Sequence, residues 1–329
     1  MDKFKKIITF TATIRERKTM KRIVFLLVAG LWGLSSAAAQ TKNPTSRGQV
    51  YTVTERIRFN EGTLPLKNKR GILLSNFGTE TLDPLNREGR GYIVLLDKEP
   101  RVLFPASGVL NAPKGMAVKD DCLFVADVGC VVVFHMKRPE QQPVRIPFPE
   151  GELFVNDIVT LGDFLLVSVT DAGKLYAIDV KNCDAVWSAQ RPVPKKVADI
   201  PGANGLAEFQ GTLYVASYAP DEKPDERNGI YAINMGVPGT QPVNLLGARY
   251  GQYDGLAVSP DGSRLYFSNW RNAEGKAEVG YLDLTAGKEY PVTTLDLGVE
   301  LQGPADICLS DGYLFVPDLP ANKLYILAL

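Results

Sequence analysis

A unit of about fifty residues that recurs along the chain constrains its fold more than any other feature. The stretch Ala203-Asn204-Gly205-Leu206-Ala207 reads as a short strand, followed by a turn at Gln210-Gly211 and a second strand, Leu213-Tyr214-Val215-Ala216-Ser217. The same design returns at Asp254-Gly255-Leu256-Ala257-Val258, with a Pro260-Asp261-Gly262 turn and the run Leu265-Tyr266-Phe267-Ser268-Asn269. Runs rich in Val, Tyr, Ile and Phe between Gly and Asp turns are strands joined by hairpins. Lining up the pattern gives six copies, anchored by a Gly or Asp at Gly62, Gly115, Asp157, Gly205, Gly255 and Asp306. Each copy holds a third strand, such as Tyr92–Leu96, Ile230–Ile233 or Leu324–Leu327, and no helical periodicity intervenes. Periods of this length signal repeat architectures. Six four-stranded copies predict an all-β fold, a six-bladed β-propeller.

The last copy ends after its third strand, at Leu329. An unclosed blade exposes a row of unpaired backbone groups. Residues 49–57 precede the first copy and alternate like a strand, so they are expected to complete the last blade. Residues 48–329 form the propeller on this reading, and residues 40–47 form a disordered leader. Residues 1–39 carry the pattern of a signal peptide. Lys21-Arg22 precede the apolar run Ile23–Leu34, and Ala37-Ala38-Ala39 offer a small-residue cleavage site. Met20 lies just before this pattern, so the true start is expected there. The apolar run is shorter than a membrane span of roughly 20 residues. A periplasmic or secreted protein with no membrane span after cleavage is the expectation.

Cleavage removes eight of the 37 basic and two of the 37 acidic side chains, leaving 29 and 35 and a net charge of −6. That balance argues against nucleic acid or an anionic membrane as partner; the partner expected, from the ring residues described below, is a small-molecule substrate. The four cysteines (Cys122, Cys130, Cys183 and Cys308) form no CxxC pair and are expected to be mostly buried free thiols, with a bridge to Cys183 left open. The single histidine, His135, lies in a third strand. One histidine there supports neither a Ser-His-Asp triad nor a two-histidine metal site. The glycines sit in β turns, not ahead of a helix, so no phosphate loop is present.

The chemistry is expected on the axis. The residue before each anchor reads Glu61, Lys114, Asn156, Asn204, Asp254 and Ala305. Innermost strands line the axis of a propeller, so these side chains should meet in one ring. Two carboxylates and two amides converging there are costly unless paired or bound to a metal. Oxygen-only ligation suits Ca²⁺ or Mg²⁺, with Zn²⁺ or Mn²⁺ the less fitting choices. The structural alternative is that each polar residue caps its own turn. Asp127 and Asp318 end second strands, where a carboxylate commonly bonds neighbouring backbone. Tyr218, Tyr250, Tyr253, Trp270 and Arg271 fall near the ring entrance, and Tyr253 is taken with Lys114 and Asn156 as substrate-binding.

With these residues in place the chain resembles the senescence marker protein / gluconolactonase superfamily, whose six-bladed propellers include regucalcin and lactone hydrolases. The resemblance covers roughly residues 50–329. It implies one divalent metal held by Glu61 of blade one, Asn204 of blade four and Asp254 of blade five, with Asn156 of blade three on metal water or substrate. It also implies an acid/base role for Asp254. The family's usual Glu-Gly-Pro is Glu61-Gly62-Thr63 here, and a common substrate-binding Arg is Phe154. Lys114 adds a cation whose partner is open: an acidic neighbour such as Asp306, an anionic substrate, or the place of the metal itself. The expected function is a metal-dependent hydrolase of a lactone or related ester. The alternative is a non-enzymatic NHL-type propeller binding a peptide, glycan or protein.

Overall fold

The computed structural model describes residues 49–67, 70–219, 223–237, 239–287 and 290–329. The expected signal peptide and leader lie outside the described residues. Among the described residues twenty-four strands form six separate four-stranded antiparallel sheets, the six blades. Five blades are consecutive meanders. The sixth takes three strands from the C-terminal end and its fourth from Val50–Val53, which pairs antiparallel with Lys323–Ala328 in the register Val50↔Leu327 to Val53↔Leu324. The closure expected from the alternation of residues 49–57 is therefore present, and it joins the two ends of the propeller.

The second strands read as nearly continuous apolar runs because both faces of each sheet are covered by neighbouring blades. Successive side chains of a strand point to opposite faces. In blade one, Ile72 and Leu74 pack with Phe315 and Ile326 of blade six, whereas Leu73 packs with Leu123 and Val125 of blade two. Similar apolar clusters fill the interfaces between blades two and three, three and four, four and five, and five and six. The core is thus a ring of six wedges rather than one central mass. All four cysteines are buried free thiols within it.

The axis is narrow. Glycine recurs at the anchoring positions because adjacent first strands nearly touch there. A Cβ on Gly205 would lie 2.0 Å from the Asp254 carbonyl oxygen, and one on Gly255 would lie 2.3 Å from the Ile307 nitrogen. In blades three and six the anchor is Asp157 or Asp306, both buried. The Asp157 carboxylate accepts the backbone N–H groups of Ile158 and Leu206, each at 2.7 Å, which ties blade three to blade four.

The connections between second and third strands lie on the face where the first strands begin. They are long in blades one (residues 77–91) and four (218–229). In blade five the second strand runs on to Asn272, so only residues 273–277 remain as connection.

Candidate functional site

The ring residues do not sit in regular ladder positions. In blades one, three, four and five the pairing of first and second strands shifts register between Asn60/Thr63, Val155/Ile158, Ala203/Leu206 and Tyr253/Leu256. Glu61, Asn156, Asn204 and Asp254 each fall inside such a bulge. A bulge frees backbone groups and re-aims side chains. Three of these bulges are braced by a serine of the second strand. Ser75 and Ser268 accept the N–H of Gly62 and Gly255 at 2.7 Å, and Ser168 accepts that of Asp157 at 3.0 Å. In blades two and six, Lys114 and Ala305 precede the first strand and are held by backbone bonds to Ala126 and Pro317.

Five of the six ring positions line one cavity of about 290 Å³ at the loop face: Glu61, Lys114, Asn156, Asn204 and Asp254. The three residues expected to hold a metal each present a buried oxygen with no hydrogen-bond partner: Glu61 Oε2, Asn204 Oδ1 and Asp254 Oδ1. Buried polar atoms are nearly always partnered, so such orphans need an explanation. Two carboxylates and an amide oxygen form a hard, oxygen-only donor set that fits Ca²⁺ or Mg²⁺. Among the described residues no group of three or more His, Cys, Asp or Glu side chains converges on a metal position. The third donor here is an amide, which lies outside that set.

Electrostatics at the floor follow from burial. Burial pushes the Asp254 carboxyl up to about 8, against the Trp270 indole beside it; the charge of Asp157 raises it further. The indole N–H does not reach strict hydrogen-bond geometry. Burial, then Asp254, drives Glu61 well above the usual carboxylate range, and Lys114 opposes that rise. Lys114 is pulled down by its own burial and held up chiefly by Glu61. Below the ring, burial pushes Asp157 to about 7 and drives Asp306 well up, with Asp157, Glu61 and Asp254 adding to the latter.

Lys114 is fully buried. Its Nζ donates to the Ala112 carbonyl at 2.9 Å. The ammonium lies 5.6 Å from the Phe77 ring centroid and 5.2 Å from that of Phe154, between two aromatic faces. Cation–π contact offsets part of its desolvation. It forms no ion pair with Glu61 or Asp306. Asn156 is fixed by its amide N–H, which Thr170 Oγ1 accepts at 3.0 Å. That leaves the amide oxygen as the end of Asn156 with acceptor capacity to spare.

Tyr253 does not join this site. Its side chain is fully buried and packs edge-on against Phe267, 5.4 Å between centroids, in the interface of blades four and five. Its hydroxyl lies beside Arg249. The reason lies in the bulge. Tyr253 keeps its ladder pairing with Asn269 and its place in the blade interface, whereas Asp254 falls in the register shift that follows and is re-aimed at the cavity. Tyr218 and Trp270 line the cavity instead, in edge-to-face contact with centroids 6.1 Å apart. Trp270 is seated against Gly303, where a Cβ would come within 2.8 Å of the indole.

The sequence reading did not single out Phe77 or Leu319, both of which also line the cavity. A signal exists: the residue immediately after the aligned second-strand run reads Phe77, Val128, Thr170, Tyr218, Trp270 and Leu319. Four of these line the mouth, and several pack together there in an apolar cluster. By contrast Asp127 and Asp318 are structural as expected, accepting the N–H groups of Asn111 and Ala112 and of Gln302 and Gly303. His135 lies away from the axis, beside Trp187 and 3.7 Å from Asp184.

No family model matches the chain, and no curated protein matches it by sequence. Solved structures do match. A gluconolactonase from Xanthomonas campestris aligns at 14% identity over 86% of this chain and 90% of its own, with a TM-score of 0.58. A periplasmic gluconolactonase from Pseudomonas aeruginosa aligns at 15% identity over 82% of this chain and 80% of its own, TM-score 0.56. A chain of the nidogen/laminin complex aligns at 13% identity over 85% and 90%, TM-score 0.53. At such identities the likeness is one of fold, and a fold does not fix an activity. The chain thus shares the six-bladed propeller of the gluconolactonases that its ring residues resemble.

Proposed function

We propose that the protein is a divalent-cation-dependent hydrolase of a lactone or related ester, acting on a small molecule in the axial cavity. One observation carries the reading: Glu61 Oε2, Asn204 Oδ1 and Asp254 Oδ1 are buried, unpartnered and set around one cavity. A scaffold with no ligand to hold gains nothing from three such atoms, which weighs against a purely interacting propeller. Glu61, Asn204 and Asp254 would hold the ion, Ca²⁺ or Mg²⁺ by donor type. A bound divalent cation supplies Lewis acidity toward a carbonyl oxygen.

The protein's own groups do the rest. Asp254 has two carboxylate oxygens, so one can face the ion while the other accepts a proton from the attacking water. Lys114 has N–H donors beyond the one given to Ala112, and these suit the carbonyl oxygen of the substrate. The Asn156 amide oxygen accepts from the water or from a substrate hydroxyl. The collar of Tyr218, Trp270, Phe77 and Leu319 excludes bulk water and strengthens each of these interactions. Export belongs to the same proposal, supported by the basic, apolar and small-residue pattern of residues 21–39. No helix among the described residues is long and apolar enough to cross a membrane.

The test is a lactone panel with chelator-stripped protein. Ring opening should return on adding Ca²⁺ or Mg²⁺ and vanish in Asp254→Asn. Turnover indifferent to chelation and to that substitution would overturn the proposal.

A further inference from the structure

We propose that the site selects a small apolar lactone or ester, a single ring bearing a short alkyl or aryl group, over a polyhydroxylated sugar lactone. The inference rests on the hydrolytic reading for the bond that is broken; the class of ligand is argued from the cavity wall alone. Above the ring, the wall is built from Phe77, Leu82, Pro84, Phe154, Trp270 and Leu319. Once Glu61, Asn204 and Asp254 are committed to an ion, the remaining polar groups are Lys114, Asn156, Tyr218 and the Trp270 indole N–H, which lies beside Asp254. Those suffice for a carbonyl oxygen, a water and one further group.

A sugar lactone carries a hydroxyl on nearly every ring carbon. Each hydroxyl set against carbon with no partner loses its bonds to water, a factor of roughly 5 to 100 in affinity apiece. Phe154 deepens the effect. Its ring and that of Phe77 cover the Lys114 ammonium on two sides, so even the cationic corner of the floor presents carbon beside its N–H donors. The size fits as well. A cavity of about 290 Å³ lies at the small end of ligand sites and suits one ring with a short substituent. Apolar extension of the ligand should therefore gain about fourfold in affinity per methylene buried, until the cavity is full.

The experiment separates ligand class from chemistry by using lactams, which share the shape and carbonyl of lactones and resist hydrolysis. Calorimetric titration of the Ca²⁺-loaded mature protein compares δ-valerolactam, its butyl-substituted derivative and a polyhydroxylated gluconolactam. The butyl lactam should bind at least tenfold tighter than the polyhydroxylated one. Leu82→Asn should reduce that preference severalfold without lowering the melting temperature, because Leu82 is a partly exposed loop residue. Equal binding, tighter binding of the polyhydroxylated lactam, or no binding of either overturns the inference. Butyl lactam binding without hydrolysis of any lactone would leave the ligand class standing and remove the hydrolytic proposal instead.

Discussion

Two sets of buried carboxylates occupy this propeller, and they are treated in opposite ways. Asp127 and Asp318, at the ends of second strands in blades two and six, each accept backbone N–H groups from the segment entering the first strand of their own blade. Glu61 and Asp254, in the bulges of blades one and five, each keep a buried oxygen with no partner. Burial is similar in both sets, so desolvation alone does not distinguish them. The partners do. A carboxylate given several donors stabilises the turn it bonds. One held beside a second carboxylate with an orphan oxygen is costly to the fold unless a ligand completes it.

The sharpest way to break this comparison is to neutralise one member of each set. Asp254→Asn should lower kcat by about 10³-fold, the scale of a lost acid/base group. It should leave the ion-free protein as stable as before, or more so near neutral pH, since the cost of holding a buried carboxyl protonated is removed. Asp127→Ala should do the reverse. It strands the N–H groups of Asn111 and Ala112 and should cost about 2–4 kcal/mol in urea unfolding, with activity per folded molecule retained. Activity surviving Asp254→Asn would dissolve the distinction.

A smaller effect sharpens it. A carboxyl whose folded pKa is raised favours the folded state fully below its unfolded pKa, and that contribution is lost as pH rises through the folded value. Asp254 is raised from 3.8 to about 8 and Asp157 from 3.8 to about 7. The melting temperature of the ion-free protein should therefore fall between about pH 5 and pH 8. Saturating Ca²⁺ should flatten that slope, because the ion takes the place of the protons. Ion-free melting that is flat across this window would contradict the electrostatic account.

Much of this was legible from residue spacing. Six copies of a strand–turn–strand unit leave few folds open, and the alternation of residues 49–57 pointed to the closing strand. The ring column was legible because the axis brings one position of each repeat together. Tyr253 was misplaced because it keeps its ladder pairing in the blade interface, while the bulge that follows it re-aims Asp254 alone. The bulges were hidden because an extra residue in one strand leaves no mark in an apolar pattern. The serines that brace three of them, Ser75, Ser168 and Ser268, carry the clearest trace, each directly following three apolar residues of its second strand. The wall residues from the long loop of blade one, Leu82 and Pro84, had no periodic signal at all, since loop paths follow tertiary contacts rather than pattern.

The central claim is that Glu61, Asn204 and Asp254 together hold one divalent cation. Calorimetric titration of chelator-stripped protein with Ca²⁺, run beside Glu61→Gln, tests it most directly. The account predicts a single ion per chain, with affinity falling at least tenfold in the variant. No bound ion, or an affinity unchanged by Glu61→Gln, would contradict it.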